Sequence, residues 1–302
     1  MMELKEKNSI EEIRLSEEVQ AGEEEYFPSR LSANALFNFM KEYDYLEKAI
    51  NKMAFSPRYY SENIEYLQLK YNGVELKEWF IPMTCFCDIP LHQISMHAEG
   101  TDGSGYGKFG IALHKKFGID KGIQPIQYLN PHSLYTNELA KAINTLLSEK
   151  TTMEDKIYFS MSEHLFEQLR LIKPLSGTMK KKVKRNGKEE YGEIKKNFHD
   201  EHEWRYIPHI EIGEAPLMLV NQDDILLENN KNYYTESIEK TKKGLLHFKA
   251  SDIRYIFVDN ELNRDRLIRF IRSKTKENHL LETEKDILIS KIMVYDDLKE
   301  DW

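Results

Sequence analysis

The segment "PMTCFCDI" (residues 82–89) decides how this sequence is read. It is apolar up to Asp88, short, and followed by a turn-forming proline, so it reads as a strand buried on both faces. It overlaps "CFCDIPLHQISMH" (85–97), which packs two cysteines, an aspartate and two histidines into one short stretch. Alternate side chains of a strand share a face, so Cys85 and Cys87 point the same way. A structural zinc site takes four ligands, commonly from CxxC pairs. Here the spacing is CxC and the sequence holds only 2 cysteines, so no metal is expected at Cys85, Cys87, His92 and His97. A nucleophilic cysteine would need a base and an electropositive setting, for which no signature stands out. Both cysteines therefore read as small apolar residues of the strand. His97 reads as a pocket residue or a loop anchor.

Working outward, "GTDGSGYG" (100–107) matches neither a Walker loop nor a dinucleotide fingerprint. It reads as a connection whose backbone N–H groups could also approach a phosphate. Short strands are expected at 108–115, 123–130 and 203–212, and a strand–turn–strand at 245–259. Helices are expected at 132–149, 153–172 and 262–274. Upstream, Leu36, Phe39, Tyr43, Leu46 and Ile50 recur at helical spacing, which predicts a helix capped by Ser32 or Asn34 and running to Met53. Ser56-Pro57 would end it. A turn is expected at Asn72-Gly73. Strands mixed with helices, without βαβ alternation, point to an α+β fold. The expectation is a single compact domain with a short-stranded, mostly antiparallel sheet flanked by helices.

Charge divides the chain more sharply than composition does. Residues 1–25 carry nine glutamates against Lys5, Lys7 and Arg14, a net of −6 in a chain of net −8. They read as an acidic N-terminal arm preceding an α+β domain over 26–302. Residues 173–196 hold nine Lys or Arg against three Glu, a net of +6. Most of these cations fall in a polar loop at 177–193, or in a hairpin turning at Asn186-Gly187. Such a segment is either a solvated face or a surface that meets phosphate. Lys180, Lys181, Lys182, Lys184 and Arg185 are the candidate contacts to an RNA or DNA partner. The longest apolar run is about six residues, far short of a bilayer span. With no secretory pattern at the start and no disulfide framework, a cytoplasmic location is expected.

The stretch "NFHDEHEWRYIP" (197–208) crowds Asp200, Glu201, Glu203 and Arg205 around Trp204. A strand starting near Glu203 would put Glu203 and Arg205 on one face and Trp204 on the other. That pair reads either as a structural ion pair or as a catalytic glutamate at the mouth of a cleft.

Three blocks, residues 36–67, residues 81–130 and the segments "IKPLSGTMKKK" and "NFHDEHEWRYIP", together resemble the AbiGi family. That resemblance implies an abortive phage-resistance function in a toxin–antitoxin system and a cognate toxin or antitoxin as partner. A remoter likeness, carried by "LFNF", by the arginine of "PRYY" and by a late carboxylate on a strand, is to DarT-like ADP-ribosyltransferases. It implies an ADP-ribosyltransferase-like fold and NAD+ as the substrate that carries the ADP-ribose. Asn38 stands where members of that group often have a histidine, a departure from the pattern. On that likeness Glu203, with Glu201 behind it, would be catalytic and would steady the cationic ribose as nicotinamide leaves. Asn38, Arg58, Tyr59 and Tyr106 would bind the dinucleotide. The expectation is therefore a mono-ADP-ribosyltransferase toxin that uses NAD+ to modify nucleic acid or protein. The alternative is a non-enzymatic antitoxin in which Arg58, Glu203 and Arg205 form a structural network and the acidic arm binds a basic toxin.

Overall fold

The computed structural model describes residues 28–30, 32–71, 73–100, 105–148, 165, 167–185, 188–210, 215–216, 218–220, 224–241, 244–273 and 280–300. The acidic arm, most of the 153–172 segment, Asn72 and the Asn186-Gly187 tip lie outside them. In chain order the elements are β1 (Ala35–Met40), α1 (Tyr43–Lys52), β2 (Arg58–Asn63), β3 (Glu78–Cys87), α2 (Ile94–Glu99), β4 (Phe109–His114) and α3 (Lys115–Asp120). Then follow β5 (Gln124–Pro125), β6 (Gln127–Leu129), α4 (Leu134–Ser148), β7 (Ile172–Pro174), β8 (Ser176–Arg185), β9 (Lys188–Asn197) and β10 (Glu203–Tyr206). Last come β11 (Leu219–Val220), α5 (Asp224–Thr241), β12 (Ile253–Val258), α6 (Glu261–Ser273), α7 (Glu282–Ser290), β13 (Ile292–Val294) and α8 (Tyr295–Glu300), with short two-residue strands such as Ala54–Phe55 and Leu246–His247 and single 3-10 turns left unlabelled between them.

The stretch quoted first is the second half of β3, the longest strand of the main sheet. The sheet runs β13-β12-β4-β1-β3-β10-β5, with β2 and β11 paired to the first half of β3. All of these pairs are antiparallel except β12 with β13. The strand ends before Asp88, whose N–H turns to the carbonyl of His202 at 3.1 Å.

Strand periodicity then builds two cores. Leu36, Phe86, Ile111, Leu113, Ile256 and Val258 face one side, where Leu46 and Ile50 of α1, Leu267 and Ile271 of α6 and Leu288 of α7 cover them. Their neighbours Ala35, Phe37, Cys87, Ala112 and Phe257 face the other side, against Ile94 and Ala98 of α2 and Tyr295 of α8. A third cluster gathers Trp79 and Ile81 of β3 with Leu129 of β6, Ile143 of α4 and Ile172 of β7. Trp79, Ile81, Cys85 and Cys87 lie on one face of β3, because odd positions share it. That face is apolar at both ends, and its middle carries the site described below.

The helix expected from residue 34 to 53 is two elements. Residues 35–40 form β1, an inner strand between β4 and β3. Its apolar residues lie on both faces, and only α1 keeps the helical stripe. Leu36 and Phe39 happen to match helical spacing, and burial on both sides overrides that local signal. The 123–130 expectation splits into β5 and β6, and the strand expected over 203–212 closes at Tyr206 as Pro208 approaches. Among the described residues no helix is long and apolar enough to cross a membrane.

The end of the glycine segment serves close packing. Gly107 has φ 106°, and a Cβ there would run into the backbone of Met40. Gly73 has φ 77° but open space around it. Both therefore strain an alanine, and only Gly107 also collides. Gly107→Ala is expected to cost roughly 1–3 kcal/mol more than Gly73→Ala. Urea unfolding of the two variants would measure this, and equal losses would contradict it.

Candidate functional site

Glu203 and Arg205 lie two apart on β10 and face the same way, opposite Cys87 and Cys85 of β3. Trp204 turns to the other face and packs on the helix-covered core. Arg205 is 0% exposed. Its guanidinium donates from Nε to Glu203 Oε1 at 2.7 Å, from Nη2 to Glu62 Oε1 at 2.6 Å and from Nη1 to the Arg170 carbonyl at 2.8 Å. Each of its three nitrogens thus has an acceptor, which a buried guanidinium requires.

The chain of charges continues from Glu203. Its Oε2 accepts from Lys173 Nζ of β7 at 2.8 Å, and Lys173 also lies 3.4 Å from Glu201 Oε2. Glu201 Oε1 accepts from Lys196 Nζ of β9 at 2.6 Å and from the Tyr106 hydroxyl. Lys196 donates to the same hydroxyl oxygen at 3.1 Å. The Glu203 N–H donates to the Tyr128 hydroxyl oxygen at 2.8 Å. Three carboxylates, of Glu62, Glu201 and Glu203, thereby alternate with three cations, of Arg205, Lys173 and Lys196. Lys173 further sits over the Phe198 ring at 4.7 Å. Tyr106 stacks on His97 at 4.7 Å, and its N–H donates to the His97 carbonyl at 3.1 Å. His97 thus anchors the end of the glycine segment.

The electrostatics follow from burial and partners. Burial alone would raise Glu203, and the adjoining Arg205 and Lys173 reverse that and hold it well below the usual carboxylate range. Glu201 is opposed by burial, then lowered by Lys173 and Lys196. Glu62 goes the other way. Burial, with Glu203 and Glu201 nearby, outweighs the pull of Arg205 and Lys173. Burial also raises both thiols, with Glu203 adding to the effect at Cys85 and Glu201 at Cys87. A raised thiol is a poor nucleophile. Among the described residues no three His, Cys, Asp or Glu side chains come together as metal ligands.

The structure brings Glu201, Glu203 and Tyr106 together. It does not add the other expected dinucleotide contacts to them. Asn38 donates from Nδ2 to the Cys85 carbonyl at 2.8 Å and ties β1 to β3. Tyr59 is buried with Phe80, Ile210 and Ile238 under α5. Arg58 is exposed, its guanidinium 5.2 Å from the Tyr45 ring centroid, and takes no part in the Arg205 ion pairs. Lys180, Lys181, Lys182, Lys184 and Arg185 lie along β8, whose ten residues pair antiparallel with β9. The basic segment is thus a two-stranded hairpin, with Lys180 opposite Glu193 and Lys184 opposite Glu189 in register. Glu62, Tyr128, Lys173 and Lys196 were not anticipated as members of the cluster. In the sequence Lys173 and Lys196 are only two members of a basic run, and nothing local marks them as the ones that meet Glu203 and Glu201.

With this geometry in hand, the comparisons with known proteins decide the family. Residues 53–259 match the family described as "Putative abortive phage resistance protein AbiGi, antitoxin". An abortive phage resistance protein AbiGi of Lactococcus lactis subsp. cremoris is 61% identical over 251 residues, covering 83% of this chain and 100% of that protein. This chain belongs to the AbiGi family. No solved structure matches it. The AbiGi match takes in the whole charge cluster, from Glu62 to Arg205, and the hairpin between its lysines.

Buried pairs of this kind destabilise most when one partner is removed, because the other charge is stranded. Arg205→Leu is expected to lose about 3–5 kcal/mol in urea unfolding. Glu203 has a folded-state pKa below its unfolded value, so its ionisation stabilises the fold above the ordinary carboxylate range. That stabilisation is lost as pH falls through roughly 4 and below. The advantage of the native chain over Glu203→Gln should therefore be full above about pH 5 and shrink on acidification. An advantage that grows as pH falls would contradict the ion-pair assignment.

Proposed function

We propose that this chain is the antitoxin of an abortive phage-resistance pair, and that it neutralises a cognate toxin by binding it rather than by catalysis. The observation that carries the reading is the closure of the Glu203 site. The carboxylate is 5% exposed, and each of its oxygens already accepts from a cation. A group held this way organises strands and offers little to a substrate. The antitoxin description of the matching family agrees with it.

The hairpin is the natural contact surface. Residues 176–197 carry eight Lys or Arg against three Glu, and β8 and β9 pair only with each other in the described sheets. A two-stranded ribbon is weakly stable alone and gains from a further strand or a docked face. Its partner in this reading is an acidic face of the toxin, with association that weakens as salt rises. An RNA or DNA contact by the same five cations would follow the same electrostatics.

A transferase acting on NAD+ would have to free Glu203 or Glu201 from these ion pairs, against roughly 3–5 kcal/mol for breaking a buried pair. One set of experiments separates the two readings. Expressed alone, the chain should leave growth unchanged. Co-expressed with its cognate toxin, it should restore growth and co-purify. The purified chain should release no nicotinamide from NAD+. Growth arrest by the chain alone, relieved by Glu203→Gln and accompanied by label transfer from NAD+, would establish the transferase instead.

A further inference from the structure

Arg170 stands just before β7, and its carbonyl is one acceptor of Arg205. Its own side chain is nearly enclosed, at 2% exposure. Nη2 pairs with Glu167, three residues earlier. Nε and Nη1 are buried and have no hydrogen-bond partner. Among the described residues this is the one charged side chain with buried donors left unmatched. Arg205, next to it, is fully matched, so the vacancy belongs to Arg170 alone. A buried, unmatched cationic donor points to a ligand or ion at that position.

Arg170 also lines a pocket of about 310 Å³, together with Glu167, Arg205, Gln124, Leu171, Ile207, Pro208 and His209. That volume is at the small end of ligand sites. The unmatched N–H groups lie on more than one edge of the guanidinium. Each of those edges includes Nη2, so an oxyanion that displaces Glu167 can take two parallel N–H···O bonds from one edge, and a phosphate keeps further acceptor oxygens for a second donor where a carboxylate has none. Leu171, Ile207 and Pro208 offer an apolar wall to whatever carries the phosphate. Burial lowers the Arg170 pKa, in keeping with a desolvated charge. The existing partner is a weak competitor. Glu167 is more than half exposed, and an exposed carboxylate is held loosely and screened by salt.

We propose that this pocket binds a small oxyanion, a phosphate or phosphate monoester, which the Arg170 guanidinium holds in competition with the Glu167 carboxylate. The site is independent of toxin binding. Its test is thermal unfolding of the full chain titrated with inorganic phosphate at constant ionic strength, with chloride as the matching salt. Phosphate stabilises proteins generally by exclusion from their surface, in a linear way. A bound ligand instead gives a shift that follows its saturation and binding constant. The expected result is a saturable rise in Tm, at least tenfold weaker in affinity in Arg170→Gln and several-fold tighter in Glu167→Gln. Repeating the titration with ribose 5-phosphate should give tighter binding than phosphate alone. A linear rise that is the same in all three proteins would overturn the proposal. Should Arg170→Gln fail to fold, an affinity in Glu167→Gln no tighter than the native one would overturn it as well.

Discussion

The structure depends on a guanidinium with no access to water. Arg205 sits on β10, and its acceptors come from β2, from β10 itself and from the backbone just before β7. A charge of this kind in the interior is tolerable only when every donor is matched and the geometry is close. The demand therefore fixes where three separate parts of the chain must end up. Lys173 and Lys196 extend the same demand to both ends of the hairpin, through Glu203 and Glu201. The two apolar clusters at either end of that sheet face supply burial. The charges between them supply register, because a one-residue slip of β10 would turn Arg205 into the opposite core.

This arrangement bears on function through what it closes and what it leaves free. The acidic residues that look most reactive in the sequence are those most completely engaged in the fold. Outside them stands a long basic ribbon, whose Lys196, near its base, pairs with Glu201. Rigid anchoring of Lys196 by Glu201 and Tyr106 sets the direction in which the ribbon leaves the body.

Arg170 is the counterpart of Arg205. Both guanidinium groups are almost fully enclosed, and that of Arg205 donates to the backbone carbonyl of Arg170. One has its three nitrogens matched by the protein, and the other has two left over. The difference arises from the neighbouring carboxylates. Glu62 and Glu203 are buried beside Arg205, whereas Glu167 is on the outside. A structural ion pair and a ligand site can thus lie side by side and be told apart by the satisfaction of their donors.

Short-range patterns determined much of this protein by themselves. The apolar run around Phe86 reads as a strand, the two-residue period of β10 places Glu203 with Arg205 against Trp204, and the motif blocks carry the AbiGi resemblance. These features are local, because strand alternation and motif spacing need only a few neighbouring residues. The helical period over residues 36–39 misleads for the same reason. Leu36 and Phe39 satisfy a helical period, and only the sandwiching of β1 between β4 and β3 makes them strand residues. The membership of the charge cluster was decided by tertiary structure alone. Glu62 and Arg205 are 143 residues apart, and Tyr106 and Glu201 are 95 apart. No periodicity links positions that distant. Which lysine of a basic run is buried, and which glutamate meets it, follows from the desolvation of ions that only the assembled sheet imposes.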